Sequence, residues 1–226
     1  MKKKVVKRNS EKQIQKERDP SQKQFAWLVI FFVVVILLAI VGPTVYHRLF
    51  NVFDYGGVRF EKTKFSNTLY FYHGVFPVIY KGNLTGYYNA YFRTDPRKNN
   101  ISIETETSLS RSVIVSLSPG VEKCESMPLG QQLISQFISS FTFVKNLSGG
   151  LADPAMAKEL NVSFVNCKNS SIDKTVFIIQ TSEVPSVAKG NGTNCYLLNI
   201  GDCQYLETIE RYVMSAMAQI NNVSVS

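Results

Sequence analysis

The sequence predicts an α+β fold: one N-terminal transmembrane helix followed by a mostly antiparallel sheet with packed helices. Three observations predict it. Residues 24–46, QFAWLVIFFVVVILLAIVGPTVY, carry no charge. From Val58 to Leu117, apolar and polar residues alternate with period two between turn signals. Beyond Pro128 the apolar recurrence lengthens to three and four residues, the period of a helical face, with short apolar runs between.

The uncharged run is apolar on every side from Phe25 to Val41, so it is no amphipathic surface helix. At 1.5 Å per residue it spans roughly 35 Å, enough to cross a hydrocarbon core of roughly 30 Å. Trp27 and Tyr46 suit the two interfaces. Gly42-Pro43 predicts a kink or an end of the helix just inside the outer boundary. Lys2, Lys3, Lys4, Lys7, Arg8, Lys12, Lys16, Arg18 and Lys23 precede the run, against Glu11, Glu17 and Asp19. That tail, residues 1–23, nets +6 of the chain's +8, and the rest nets only +2. Positive flanks stay in the cytoplasm. The reading is therefore a cytoplasmic basic tail (1–23), a transmembrane helix (24–46) and an extracytoplasmic domain (47–226) in the cell membrane. A cleaved signal peptide fits less well, because the run is long and no A-x-A pattern follows. The tail is polar, holds Pro20 and reads as disordered. Its charge meets lipid headgroups. The near-neutral remainder carries no nucleic-acid footprint.

Next comes a short aromatic connector, His47 to Tyr55, punctuated by Gly56-Gly57. Strand character follows at Val58–Glu61, Leu69–Tyr72, Phe76–Tyr80 and Tyr87–Arg93, with Tyr88, Ala90 and Phe92 on one face and a turn at Gly82-Asn83. Eight of the 11 tyrosines fall between Tyr46 and Tyr91. Such a stripe is either sheet core and edge, or an exposed surface for sugars or a partner protein. Residues 93–100, RTDPRKNN, are a polar turn with a basic cluster of Arg93, Arg97 and Lys98. Ile101 and Ile103 start another strand; Val113, Val115 and Leu117 share one face of the next, and Pro119-Gly120 ends it.

Leu129, Leu133, Phe137 and Phe141 mark a helix over 128–143. Gly149-Gly150 breaks the chain. Asp153-Pro154 starts a helix to about Leu160, with Asp153 as cap. Val162–Val165 is a short strand, and Thr175–Gln180 a central strand buried on both faces. A loop at 189–194 leads to a strand over Cys195–Ile200. Asp202 caps the last helix, whose buried side carries Leu206, Ile209, Val213, Met217 and Ile220. The closing NNVSVS frays.

Cys124, Cys167, Cys195 and Cys203 all follow the apolar run, and an even count outside a membrane predicts two bridges. Three connectivities exist. Closeness in sequence favours Cys195–Cys203 with Cys124–Cys167. Metal binding fails on spacing: there is no C-x-x-C, and neither His47 nor His73 adjoins a cysteine. Asn83, Asn100, Asn146, Asn161, Asn169, Asn191 and Asn222 head N-x-S/T sequons and are candidate N-glycosylation acceptors.

The sequence holds no recognised catalytic, metal or cofactor motif. Ser171–Lys174 and Ser186–Lys189 match S-x-x-K, a serine–lysine dyad only if both residues share a helical turn. Ser186 lies in loop-like sequence and Ser171 at a strand onset. Glu104 and Glu106 share a strand face, and a solvated edge explains them better than a glycosidase pair.

The segments FDYGGVRF, RTDPRKNN and CYLLNIGDCQYLE, behind the anchor, resemble uncharacterised single-pass membrane proteins of small-genome archaea. The resemblance implies a cell-surface address and no activity, ligand or catalytic residue. The expected function is a membrane-anchored extracytoplasmic binding or scaffolding domain at the cell envelope, non-catalytic and without cofactors. Its partners are the lipid bilayer and either another envelope or membrane protein or glycans. The alternatives are an envelope hydrolase of unrecognised type and an accessory subunit of a membrane complex.

Overall fold

A computed structural model describes residues 20–80 and 82–220. Residues 1–19 of the basic tail, and the closing NNVSVS with Asn222, lie outside them. The chain divides into two compact units, one up to Arg48 and one from Leu49 on.

The first unit is helical. Helix α1 (Pro20–Phe50) includes a stretch, Gln24–Phe50, long and apolar enough to cross a membrane, with a mean hydropathy of 3.1. It does not end at Gly42-Pro43, where the sequence suggests a kink or a stop. Proline removes one backbone hydrogen bond, and the apolar turns on both sides keep theirs. Part of the expected connector is thus helix, and part is strand: β1 (Val52–Tyr55) begins two residues past α1.

In the second unit, β1, β2 (Val58–Lys64), β3 (Tyr70–Tyr80) and β4 (Asn83–Phe92) form an antiparallel sheet in that order. Leu69–Tyr72 and Phe76–Tyr80, read as separate strands, belong to the single 11-residue β3. The second sheet is mixed. It comprises β5 (Ser102–Ile103), β6 (Ser112–Leu117), β7 (Asn146–Leu151), β8 (Lys174–Ser182), β9 (Ser186–Lys189) and β10 (Cys195–Gly201), in the order β5-β9-β10-β8-β6-β7. β10, β8, β6 and β7 run parallel, while β9 pairs antiparallel with β10. The apolar run in β8 is central and buried, as its composition predicts.

Helices α2 (Met127–Ser139), α3 (Pro154–Glu159) and α4 (Tyr205–Ile220) complete the unit. Asp153 caps α3 as expected, its Oδ1 accepting the Met156 N–H at 2.8 Å. α2 and α4 pack between the two sheets. A ladder of rings crosses the layers: Tyr88 of β4 meets Phe137 of α2, Phe137 meets Tyr212 of α4, and Tyr212 meets Phe177 of β8, at 5.6, 5.7 and 5.1 Å. One apolar core therefore holds the inner faces of β2, β3 and β4, both helices, and β6, β8, β9 and β10. This explains why α4 buries residues all round, not only on its apolar stripe. A smaller cluster, Val165, Val176, Ile178 and Cys195, lies outside that core.

Three local expectations change. Gly149-Gly150 does not break the chain but lies inside the edge strand β7. The segment carrying Val165 passes so close that a side chain at Gly150 would come within 2.6 Å of Val165 Cγ2. Val162–Val165 forms no strand; Phe164 makes only an isolated bridge to Leu151. Asp202 does not cap α4. It and Cys203 adopt φ of 45° and 57°, a left-handed turn that delays the helix to Tyr205.

Candidate functional site

Pleating sends alternate side chains of the antiparallel sheet to opposite faces. Phe60, Tyr72, Phe76, Val78, Tyr88, Ala90 and Phe92 go inward and are buried. An outer face in water is ordinarily polar. Here Phe65, Tyr87, Tyr91 and Val75 stand 75%, 64%, 57% and 43% exposed. The tyrosine-rich stripe therefore divides between the two faces, Tyr72 and Tyr88 in the core and Tyr87 and Tyr91 at the surface.

At one end of this face is a groove of about 460 Å³ lined by Thr63, Phe65, Phe71, His73 and Tyr91. Its rings are ordered by one another. Phe65 meets Phe71 edge to face at 5.6 Å, and His73 stacks on its cross-strand partner Tyr91 at 4.6 Å. His73 Nε2 and Asn89 Oδ1 are 3.3 Å apart. The Arg93 guanidinium lies 5.7 Å from the Phe71 ring centre. The groove is built to take an apolar group beneath a polar and cationic rim. His73 has a structural role in the stack, in keeping with its sheet position.

The expected basic cluster is not a set of free cations. Arg97 grips Asp95 with both ends of its guanidinium fork, at 3.0 and 2.7 Å, and lies 3.9 Å from the Phe53 ring centre. Burial works to raise the Asp95 pKa, but the bonds and charge of Arg97 outweigh it and hold the carboxyl below its ordinary value.

Behind this loop lies a polar network that motif reading missed. Glu210 of α4 is 1% exposed, and its carboxylate accepts the Arg93 and Thr94 N–H groups at 2.5 and 3.1 Å. Burial pushes its pKa up to about 7, against the pull of those bonds. Arg211, also buried, donates from Nε to the Ile101 carbonyl and from Nη1 to the Tyr55 hydroxyl, both at 3.1 Å. Asn99 donates to the Glu207 carbonyl at 2.8 Å. Spacing gave the signal: Glu210 stands four residues from Leu206 and three from Val213, on the apolar stripe.

All four cysteines are bridged, but not in the expected pairs. The bonds are Cys124–Cys203 and Cys167–Cys195, with Cα atoms 5.1 and 5.3 Å apart. Cys195 and Cys203 lie at opposite ends of extended β10, roughly 20 Å or more apart at the strand rise, far beyond disulfide reach. An apolar helix and two disulfides mark a membrane-anchored or secreted domain.

Neither S-x-x-K match forms a dyad. Ser171 and Lys174 exchange backbone hydrogen bonds across a tight turn. Ser186 is buried on β9 and bonded to Asn199, while exposed Lys189 donates to the Thr193 carbonyl. Glu104 and Glu106 are exposed, beyond the end of β5. Asn83, Asn100, Asn146, Asn161, Asn169 and Asn191 are all exposed. Of the other described asparagines, Asn51, Asn99, Asn166, Asn194 and Asn199 are partly or wholly buried, and Asn67 and Asn89 are exposed. No family model, curated protein or solved structure matches the chain.

Proposed function

We propose that this protein is a membrane-tethered binding or scaffolding domain of the cell envelope, acting without catalysis from the extracytoplasmic side. The outer face of the antiparallel sheet carries the reading. It leaves Phe65, Val75, Tyr87 and Tyr91 exposed where a solvated sheet would be polar. The +6 tail favours a cytoplasmic N-terminus. Exposure of the six described sequon asparagines favours N-glycans on the head, in a host that makes them.

The test places a photo-crosslinking residue at Tyr87, and another at exposed Ile172, in the full chain in living cells. Adducts at position 87 and none at 172 support the reading. Equal yields at both positions sink it. Protease applied to intact cells checks orientation: the head is shaved and a tag on the first residues survives.

A further inference from the structure

We infer that the aromatic groove at Phe65, Phe71, His73 and Tyr91 engages the lipid interface of the membrane that the anchor crosses. This rests on the binding face proposed above and names its ligand. Three observations carry it. The first is chain register. The membrane-crossing stretch ends at Phe50, and the Asn51 carbonyl accepts the Lys62 N–H at 2.6 Å. Strand β2 runs antiparallel to β1, so Thr63, Lys64 and Phe65 continue back past Asn51, toward the level of Phe50. Phe65 lies three residues beyond Lys62, roughly 10 Å at the strand rise. Phe71 faces Thr63 across β2 and β3, at the same end. The groove thus opens at the end of the sheet where the chain enters it, and β1 begins two residues after the membrane-crossing stretch.

The second is composition. Amphipathic rings collect where hydrocarbon meets headgroups. Phe65, 75% exposed, is a large unsupported cost in water and an ordinary residue at that depth. The third is charge. Arg93 stands over Phe71, on the groove's own face, while Lys62 and Lys64 alternate to the other face of β2. Glu61, opposite His73, shares the face of Thr63. A cation above a ring matches a phosphate above acyl chains.

The experiment uses the full chain, which has a single tryptophan. Trp27→Phe removes it, and Phe65→Trp or Tyr91→Trp installs a reporter in the groove. Ile172→Trp and Val184→Trp are controls at opposite ends of β8. Each variant goes into nanodiscs of phosphatidylcholine and phosphatidylglycerol, with plain or brominated acyl chains. At least a twofold loss of emission at position 65 in brominated discs, and under a tenth at 172 and 184, is the expected result. Position 65 is exposed, so the substitution leaves the fold intact; Tyr91→Trp is the second reporter.

An unquenched reporter at 65 and 91, as open to aqueous iodide as that at 172, overturns the lipid assignment. The same variants are then read in envelopes of expressing cells. Protection from iodide there, but not in nanodiscs, removes the lipid and keeps the binding face. Equal access in both removes the two together.

Discussion

Arg211 donates a hydrogen bond to the Tyr55 hydroxyl at 3.1 Å, across 156 residues of sequence. The same guanidinium binds the Ile101 carbonyl. One buried cation therefore joins the first strand after the apolar helix, the loop that follows the antiparallel sheet, and the last helix.

Arg211→Met keeps the aliphatic bulk and removes both bonds. Hydrogen bonds from a charged donor contribute about 1.5–3 kcal/mol, and the abandoned carbonyl adds a desolvation penalty. The variant should lose about 3 kcal/mol in denaturant unfolding, and Tyr55→Phe about 1. A double-mutant cycle should return a non-additive term.

Glu210 makes the head sensitive to pH. Its folded pKa of about 7 lies above the ordinary 4.5, so the folded state holds a proton that the unfolded chain releases between those values. This contribution is fully present below pH 4.5 and is lost as pH rises through 7. Melting of the head should fall over that window and flatten above it. Glu210→Gln, which keeps an acceptor for the Arg93 and Thr94 amides, should abolish the slope. A wild-type slope of the opposite sign would contradict the assignment.

The disulfides differ in the loops they close. Cys124–Cys203 spans 79 residues and Cys167–Cys195 spans 28. Loop-closure entropy assigns them about 4.5 and 3.6 kcal/mol. Replacing the first pair by serine should lower stability more than replacing the second. Peptide mapping without reductant should recover the same two pairs.

An alanine in a helix interior ordinarily stabilises over glycine by about 1 kcal/mol. Gly130 of α2 should reverse the sign. A side chain there would come within 2.4 Å of the Tyr205 ring of α4. Gly130→Ala should destabilise by about 1–3 kcal/mol, and Tyr205→Leu should partly restore it.

Much of this fold is legible because each pattern answers to a local cause. The inward set Tyr88, Ala90 and Phe92 follows from a two-residue period, and the buried β8 from its unbroken apolar run. Asp153 caps its helix because its own carboxylate reaches the Met156 amide. What resists reading depends on contacts distant in sequence. The disulfide pairs follow from strand direction, since extended β10 holds Cys195 and Cys203 apart. Gly149-Gly150 looks like a break until Val165 passes over it. The groove was half legible: the tyrosine-rich stripe is plain in the sequence. Which rings face outward depends on register, and the prominence of Phe65 on where β2 stops.

Helix α4 fills the middle of the head, yet it is synthesised after every strand it touches. Neither sheet can bury its whole inner face on α2 alone, so the chain gains less from settling early. The head waits, half open, through most of its own synthesis, and a truncation just before Tyr205 leaves two greasy sheets with only α2 to close on.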